Sequence, residues 1–148
     1  MISIRHTGIY VNDIIRVSDF YKNVFNMTAI CENQEDYNLL LDELYGFKNS
    51  KIITTKLITE YGKINCTGDM IELVKIIKGP ESKKASSKIW DYGTAHIAIS
   101  VDDLEYISKK ITKHGGSMKT SIHQHVNLNK FAFAVDNEGN WLELIERI

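Results

Sequence analysis

The sequence predicts one domain of the α+β class, built from two similar βαβββ modules. Three observations support this prediction: a repeat at an offset of 90 residues, strand-like segments after each predicted helix, and a globular composition. The 148 residues suit a single domain, and 43% of them are hydrophobic and 25% charged. We place module 1 at about 1–78, a connector at 79–93 and module 2 at 94–148.

The repeat begins with two similar segments, 6–14 and 96–104. Each starts with His, reaches Val five residues later and then passes a polar pair into an apolar residue. The apolar positions that follow are spaced by three, four and three, which is one face of an amphipathic helix. The matched positions are Ile14, Val17, Tyr21 and Val24 in module 1, and Leu104, Ile107, Ile111 and His114 in module 2.

Both predicted helices carry signals at their ends. Asn12 and Asp102 are the expected N-caps, and Glu105 lies three residues after Asp102, where a capping-box acid is found. Gly115 and Gly116 are expected to end the second helix. His114 lies in its last turn, where a cation is favourable, and we interpret it as structural.

Strand-like segments follow the first helix. They are predicted at 27–33, 51–59 and 69–77, with a short extra helix at 36–45 that ends at Gly46. The Gly79-Pro80 pair and the Ser/Lys stretch to Lys88 predict an exposed connector.

Module 2 continues in the same way. Its strands are predicted at 116–123, 130–135 and 140–147. Residues 136–140 form a turn sequence, in which Gly139 and the Asn residues are expected to supply positive φ.

The composition excludes several classes of function. The net charge is −1 with interspersed acids and bases, so we expect no nucleic-acid partner. The apolar stretches are a few residues long, and the N-terminal residues lack a signal-peptide pattern, so we expect neither a membrane segment nor secretion. Cys31 and Cys66 make no disulfide framework and have no nearby base motif, which favours a reduced, cytoplasmic setting without a nucleophilic cysteine.

The last predicted strand of each module carries one Glu among apolar residues. Glu72 shares a strand face with Met70 and Val74, just as Glu143 shares one with Trp141 and Ile145. A buried, ionised carboxylate costs several kcal/mol unless it has a cation or strong donors. Two such residues at equivalent places indicate a shared cause.

A divalent metal is the cause that we favour. Each module contributes a His near the start of its first strand and a Glu in its last strand, and these donors suit Zn, Ni, Co, Mn or Fe(II). The His-to-Glu spacing is 66 in one module and 47 in the other. We attribute the difference of 19 to the extra helix and its flanks. The proposed ligands are His6, Glu72, His96 and Glu143.

The chain resembles the vicinal oxygen chelate superfamily, which includes glyoxalase I, methylmalonyl-CoA epimerase, fosfomycin-resistance enzymes, extradiol dioxygenases and bleomycin-resistance proteins. The resemblance covers nearly the whole chain, although Asn137 stands where Pro is usual. It implies paired modules whose sheets curve into a cleft around one divalent metal held by the four ligands named above. The segments that carry it are 6–11, 20–27, 71–74, 96–101 and 136–146.

The ligand set is similar to that of bacterial nickel- or cobalt-type glyoxalase I. Epimerases of the superfamily usually carry Gln where Glu72 stands, and bleomycin-binding members usually lack the ligands. The resemblance therefore implies a metal-dependent lyase that converts a 2-oxoaldehyde hemithioacetal into a 2-hydroxyacyl thioester through a metal-stabilised enediolate. Glu143 or Glu72 would transfer the proton, and we prefer Glu143.

Other functions stay open on this evidence. The alternatives are a methylmalonyl-CoA epimerase-like isomerase, an extradiol-type dioxygenase with Fe(II), and a non-catalytic resistance protein that binds a drug or metabolite. The expected partners are a small-molecule substrate and a second copy of the chain in a homodimer. Whether the four ligands come from one chain or from two is also open.

Further residues are weaker candidates. Tyr10 shares the strand face of His6 and could line the cleft, whereas Trp141 is expected in the core or a pocket wall. Helix 36–45 could form a lid or a dimer contact. His123 and His125 could bind substrate, although an exposed strand end is the interpretation that we favour. Arg5 and Lys130 are candidates for contact with an anionic substrate tail.

Overall fold

The structure is a computed structural model that describes residues 2–84, 88–125 and 129–147. Residues 85–87 of the expected connector therefore lie outside the described residues. The chain divides into two compact units. The first runs to Lys84 without Asn23–Phe25, and the second holds those three residues and the described chain from Lys88 onward.

In its described residues, unit 1 combines four strands with two whole helices and the greater part of a third, α1, whose last three residues belong to unit 2. The strand order is β1-β4-β3-β2, in which β1 is parallel to β4 and the other pairs are antiparallel. The elements are β1 (Thr7–Tyr10), α1 (Ile14–Phe25), β2 (Thr28–Asp36), α2 (Leu39–Tyr45), β3 (Lys51–Ile58), α3 (Glu60–Asn65) and β4 (Met70–Lys78).

Unit 2 repeats this connectivity. Its order is β5-β9-β8, with both β6 and β7 pairing β8, and its first strand is again parallel to its last. The elements are β5 (His96–Val101), α4 (Leu104–Lys113), β6 (Ser117–Met118), β7 (His123–Gln124), β8 (Lys130–Val135) and β9 (Trp141–Glu146). The α+β class with two βαβββ arrangements is therefore confirmed.

The apolar stripe of each long helix is buried, as its spacing predicts. Val17, Tyr21 and Val24 of α1 are fully buried, as are Leu104 and Ile111 of α4. These buried stripes hold the helices against the core, since short helices gain most of their stability from packing.

The expected N-caps of these helices are wrong by one residue. Asp13 and Asp103 have extended backbones, and their carboxylates accept hydrogen bonds from the N–H groups of Arg16 and Tyr106. An N-cap is defined by this reach to the N–H three residues on, and Asp13 and Asp103 are the residues that make it. Glu105 consequently lies one position too early for a capping box.

The C-terminal end of α4 is as expected. His114 is its C-cap, Gly115 has a φ of +88°, and the N–H of Gly116 donates to the carbonyl of Ile111. A left-handed residue directly after the cap suits glycine, because an added side chain is unfavourable there.

Module 1 carries two insertions where the sequence suggested one. Helix α2 is shorter than predicted because Asp36 ends β2 and the Asn38 side chain caps the helix. Helix α3 was not predicted. Its N-cap is Thr59, whose hydroxyl accepts a hydrogen bond from the N–H of Gly62. This glycine inside a six-residue helix weakens the helix signal in the sequence.

Cross-strand partners locate the extra residues. Lys56 lies opposite Glu72 and precedes it by 16 residues, whereas Phe133 lies opposite Glu143 and precedes it by 10. Six of the 19 additional residues therefore belong to the α3 connection. The other 13 lie before Lys56, in the part of the chain that contains α2.

The strand predicted at 116–123 is interrupted. Lys119 and Thr120 both donate their N–H groups to the carbonyl of Phe133, and the Thr120 hydroxyl accepts from the N–H of Phe133. This sharing of one carbonyl is a local bulge that separates β6 from β7.

The turn at 136–140 uses glycine and a carboxylate. Gly139 has a φ of +86°, whereas the Asn residues of the turn do not have the positive φ expected of them. The Asp136 carboxylate instead accepts hydrogen bonds from the N–H groups of Glu138 and Asn140. No helix among the described residues has the length and apolarity needed to cross a bilayer.

Candidate metal centre

The two units place a Glu in the same register. Gly8 of β1 lies beside Glu72 of β4, and Ala98 of β5 lies beside Glu143 of β9. In each case the proposed His ligand is two residues earlier, at His6 just before β1 and at His96 opening β5. Residues two apart share a strand face, so each sheet has one face that carries a His and a Glu. We call it the His–Glu face.

In unit 1, the His and the Glu are in direct contact. The Nε2 atom of His6 lies 3.0 Å from Oε2 of Glu72, and the two side chains are 34% and 18% exposed. The other carboxylate oxygen, Oε1, lies 3.1 Å from Nζ of Lys56. Glu72 therefore has a partner on each of its oxygens.

In unit 2, the same contact recurs with one difference. The Nε2 atom of His96 lies 3.1 Å from Oε2 of Glu143, with side chains 40% and 23% exposed. The residue opposite Glu143 is Phe133, whose ring meets His96 edge to face with centroids 5.7 Å apart. Among the described residues, Oε1 of Glu143 makes no hydrogen bond or ion pair.

The donor set of each pair fits a divalent metal. In each pair an imidazole nitrogen and a carboxylate oxygen lie about 3 Å apart. Zn and Ni both accept these two kinds of donor atom. The residue beside each Glu is small, and a Cβ added at Gly8 would meet no atom within 4 Å. The space directly above Gly8, on the face that carries Glu72, is therefore open.

The structure brings the four proposed ligands together as two pairs. In the part of the chain that the structure describes, no group of three or more His, Cys, Asp or Glu side chains is placed to hold a metal. The four-ligand site remains a proposal that these pairs support.

Tyr10 lies on the His–Glu face of unit 1, as its spacing from His6 predicts. Its hydroxyl lies 2.8 Å from the hydroxyl of Tyr45 on α2, and the rings meet edge to face. Burial, followed by the hydrogen bond to Tyr10, raises the pKa of the Tyr45 phenol well above its ordinary value of 10. Tyr45 is therefore neutral at every physiological pH.

The remaining candidates lie in structural or exposed positions. Lys130 pairs with Glu146 at 2.8 Å, and this contact raises the pKa of Lys130 and lowers that of Glu146. His123 and His125 are exposed, with the Nε2 atom of His123 3.0 Å from the Ser121 hydroxyl. Trp141 lies directly across from His96, on the strand that carries Glu143.

Arg5, Cys31 and Cys66 are not part of either His–Glu contact. Arg5 is exposed, and both cysteines are free thiols, with Cys31 next to Gln34 and Cys66 at the end of α3.

Sequence reasoning missed Lys56, Phe133 and Tyr45. The first two are equivalent positions, each directly across from the Glu that is the proposed metal ligand of its own unit. A charged residue inside the strand Lys51–Ile58 is the signal that could have indicated Lys56. Tyr45 carries no such signal, because its meeting with Tyr10 depends on how α2 packs.

The chain matches solved structures across its whole length. A glyoxalase family protein of Bacillus cereus superposes with a TM-score of 0.88 at 15% identity, covering 100% of this chain and 95% of the other. The trypanothione-dependent glyoxalase I of Leishmania major gives 0.62 at 21% identity, covering 99% and 87%. A glyoxalase/bleomycin resistance protein/dioxygenase domain of Frankia gives 0.69 at 13% identity, covering 100% and 99%.

These identities show a common fold and nothing finer. No curated protein sequence matches the chain. The family model of the glyoxalase/bleomycin resistance protein/dioxygenase superfamily matches residues 3–144. With this match over nearly its whole length and the same paired βαβββ fold, the chain belongs to the glyoxalase/bleomycin resistance protein/dioxygenase superfamily.

Proposed function

We propose that this protein is a divalent-metal-dependent lyase of the glyoxalase I type. The observation that carries the proposal is the recurrence of one His–Glu contact, at 3.0 Å in unit 1 and 3.1 Å in unit 2, at the same register. A structural role for one such pair would not require its repetition. A shared metal-binding role does.

The proposed metal ligands are His6, Glu72, His96 and Glu143, with one divalent ion per site. Nickel, cobalt, zinc and manganese all accept imidazole and carboxylate donors. The superfamily includes metal-dependent enzymes that act on small molecules. We further propose that the protein is a cytoplasmic homodimer. When bound, the ion supplies Lewis-acid polarisation of two neighbouring substrate oxygens.

The proposed reaction converts the hemithioacetal of a 2-oxoaldehyde into a 2-hydroxyacyl thioester. One proton leaves the carbon that bears the sulfur, and one proton is added to the neighbouring carbonyl carbon. The hydroxyl proton on the first carbon also moves to the oxygen of the second, so the reaction is an isomerisation that needs no external oxidant or reductant. A carboxylate that takes the first proton and returns it to the second carbon completes the transfer.

Glu143 is the carboxylate that we assign to this transfer. Both oxygens of Glu72 are engaged, one by His6 and one by Lys56. Glu143 has only His96, and its Oε1 oxygen faces no cation among the described residues. An oxygen without a competing cation is the better proton acceptor, since a neighbouring positive charge stabilises the ionised form.

Metal content tests the ligand assignment. We expect about one divalent ion per site in untagged wild-type protein, and loss of that ion in the Glu72→Ala and His96→Ala variants. Elemental analysis after dialysis measures it, and His123→Ala, an exposed histidine outside both pairs, is the matched control. Retention of the metal in both ligand variants would contradict the assignment.

Turnover tests the reaction. We expect the metal-loaded protein to isomerise methylglyoxal–thiol adducts, and chelation to abolish the reaction until metal is restored. The Glu143→Gln variant should keep its metal while kcat falls by about 10²- to 10⁴-fold, the range that general-base groups contribute. Saturable binding of the adduct without product would instead favour the non-catalytic binding protein.

A further inference from the structure

The His–Glu face of unit 1 has a polar end and an apolar end. Across β3 and β4, Lys56 pairs with Glu72, Thr54 with Val74, and Ile52 with Ile76, all on the same face. The proposed metal ligand thus lies at one end of this row. The other end is apolar.

Helix α2 covers the apolar end. Leu41 of the helix packs with Ile52 and Val74 in a buried cluster, and Tyr45 and Ile76 pack against it. Hydrogen bonds fix the loop that follows the helix. The Asp42 carboxylate accepts them from the N–H groups of Asn49 and Ser50, which immediately precede β3. These two hydrogen bonds lower the pKa of Asp42.

Tyr10 connects this helix to the strand of His6. It lies beside Val74, two residues beyond the Gly8–Glu72 pair, and its hydroxyl is hydrogen-bonded to that of Tyr45. Two strand residues span roughly 7 Å, so the backbone of Tyr10 lies about that far along the strand from the Gly8–Glu72 pair. Tyr10 is 53% exposed, so the pair is open to a ligand.

Two hydroxyl groups that share one hydrogen bond have one hydrogen left to donate. One hydroxyl donates to the other, and the accepting hydroxyl keeps a proton that it can donate outward. Tyr45 keeps its proton, because burial and this hydrogen bond raise the pKa of its phenol. The chemistry of this pair therefore suits an oxygen acceptor such as an amide carbonyl.

We propose that the Tyr10–Tyr45 hydroxyl pair is a substrate-specificity subsite that donates a hydrogen bond to a carbonyl oxygen of the substrate's thiol carrier. This inference rests on the proposed function, because the ligand's position is measured from the metal-binding Glu. Helix α2, an insertion of unit 1, then contributes to substrate selectivity by carrying Tyr45. In unit 2 the position of Tyr10 is taken by Ser100.

Hydroxamic acids, which chelate a metal through two neighbouring oxygens, test the subsite without turnover. Acetohydroxamic acid offers the chelating group alone. N-acetyl-β-alanine hydroxamic acid adds an amide carbonyl about five bonds away, and hexanohydroxamic acid has a similar length without the amide. Calorimetric titration of the nickel- or zinc-loaded full chain gives the three dissociation constants.

We expect the amide ligand to bind wild-type protein about tenfold more tightly than the alkyl ligand, as one good hydrogen bond allows. Tyr10→Phe and Tyr45→Phe should each remove most of this preference while changing acetohydroxamic acid affinity less than twofold. Tyr61→Phe, an exposed tyrosine on α3, is the matched control and should keep the preference.

Each outcome separates the two proposals. If acetohydroxamic acid fails to bind the wild type, the proposed metal chemistry falls, and the subsite falls with it. If acetohydroxamic acid binds but the Phe variants keep the full amide preference, only the subsite is overturned. The subsite is also overturned if the Phe variants lose the same affinity for all three ligands and unfold at a lower temperature. The hydroxyl pair would then only hold α2 in place.

Discussion

Lys56 and Phe133 make the two His–Glu pairs chemically different. They occupy the same place opposite the Glu of their unit, yet one brings a positive charge and the other an aromatic ring. Lys56 lies 3.1 Å from Oε1 of Glu72, whereas Oε1 of Glu143 meets no cation in the part of the chain that the structure describes. Two residues that are equivalent in the repeat therefore have different surroundings, which supports the different roles proposed for them, Glu72 as a ligand and Glu143 as a ligand and base.

Removing the Lys56 charge should strengthen metal binding. In Lys56→Met, Oε1 of Glu72 loses its competing cation, and a bound divalent ion loses a neighbouring positive charge. Because both groups are partly exposed, we expect a gain of about 1 kcal/mol, or roughly fivefold in affinity, that shrinks as salt is added. A competition titration with a coloured chelator measures it.

Lys51→Met is the matched control for this change. Lys51 lies on the same strand and pairs with Glu35, away from the His–Glu contact. Its removal should leave the metal affinity unchanged. Weaker binding in Lys56→Met would contradict the expectation and would mean that Lys56 orients Glu72 for the ion.

At the scale of elements, one carboxylate links three parts of unit 2. Glu146 of β9 accepts a hydrogen bond from the first N–H of α4, at Leu104, and pairs through its other oxygen with Lys130 of β8. The unpaired N–H groups of a helix start favour a negative group. Helix α4 is thus docked to the sheet by a polar contact as well as by its apolar stripe.

The stability of α4 should depend on the charge of Glu146. Lys130 and the Leu104 N–H lower the pKa of Glu146 below its ordinary 4.5, so its contribution is present above that value and is lost as pH falls through the lowered pKa. We expect Glu146→Gln to lower the unfolding temperature by about 2–4 °C at pH 7. The difference should vanish in acid.

Thermal unfolding across pH 2–7 measures this effect. Glu81→Gln is a suitable control, since Glu81 is exposed in the chain after β4 and is not part of the Lys130–Glu146 pair. An unfolding temperature of Glu146→Gln that stays below the wild type by the same amount at all pH values would contradict the role assigned to the charge.

For the whole molecule, metal binding should be coupled to folding. The two halves of the proposed ligand set come from separate compact units and are far apart in sequence, so an unfolded chain cannot offer them together. Binding to the folded state alone stabilises by about 2.7 kcal/mol at a free metal concentration 100 times the dissociation constant.

This coupling predicts a metal-dependent unfolding temperature. Adding nickel or zinc at that excess should raise it by roughly 5–10 °C in the wild type. His6→Ala should lose most of this increase, whereas His114→Ala, at the end of α4, should retain it. Differential scanning calorimetry with and without a chelator measures the shift, and an equal shift in His6→Ala would show that the metal binds elsewhere.

Local patterns in the sequence were enough to predict much of this protein. The paired His and Glu residues, the apolar stripes of α1 and α4 and most strands follow from spacing, because strands alternate faces and helices repeat every 3.6 residues. The family resemblance was likewise readable from these segments. The cap positions were one residue off, because side chains at neighbouring positions compete for the same N–H groups.

Only the tertiary structure decided which side chains lie across the sheet from the proposed ligands and which helix packs beside them. Lys56 and Phe133 are assigned to Glu72 and Glu143 by strand register, and the interruption between β6 and β7 depends on hydrogen bonds to Phe133. Tyr45 meets Tyr10 because Leu41 packs α2 onto the sheet. Sequence spacing determines which residues share a face. Cross-strand pairing and helix packing join residues distant in the chain, and such contacts leave no local pattern.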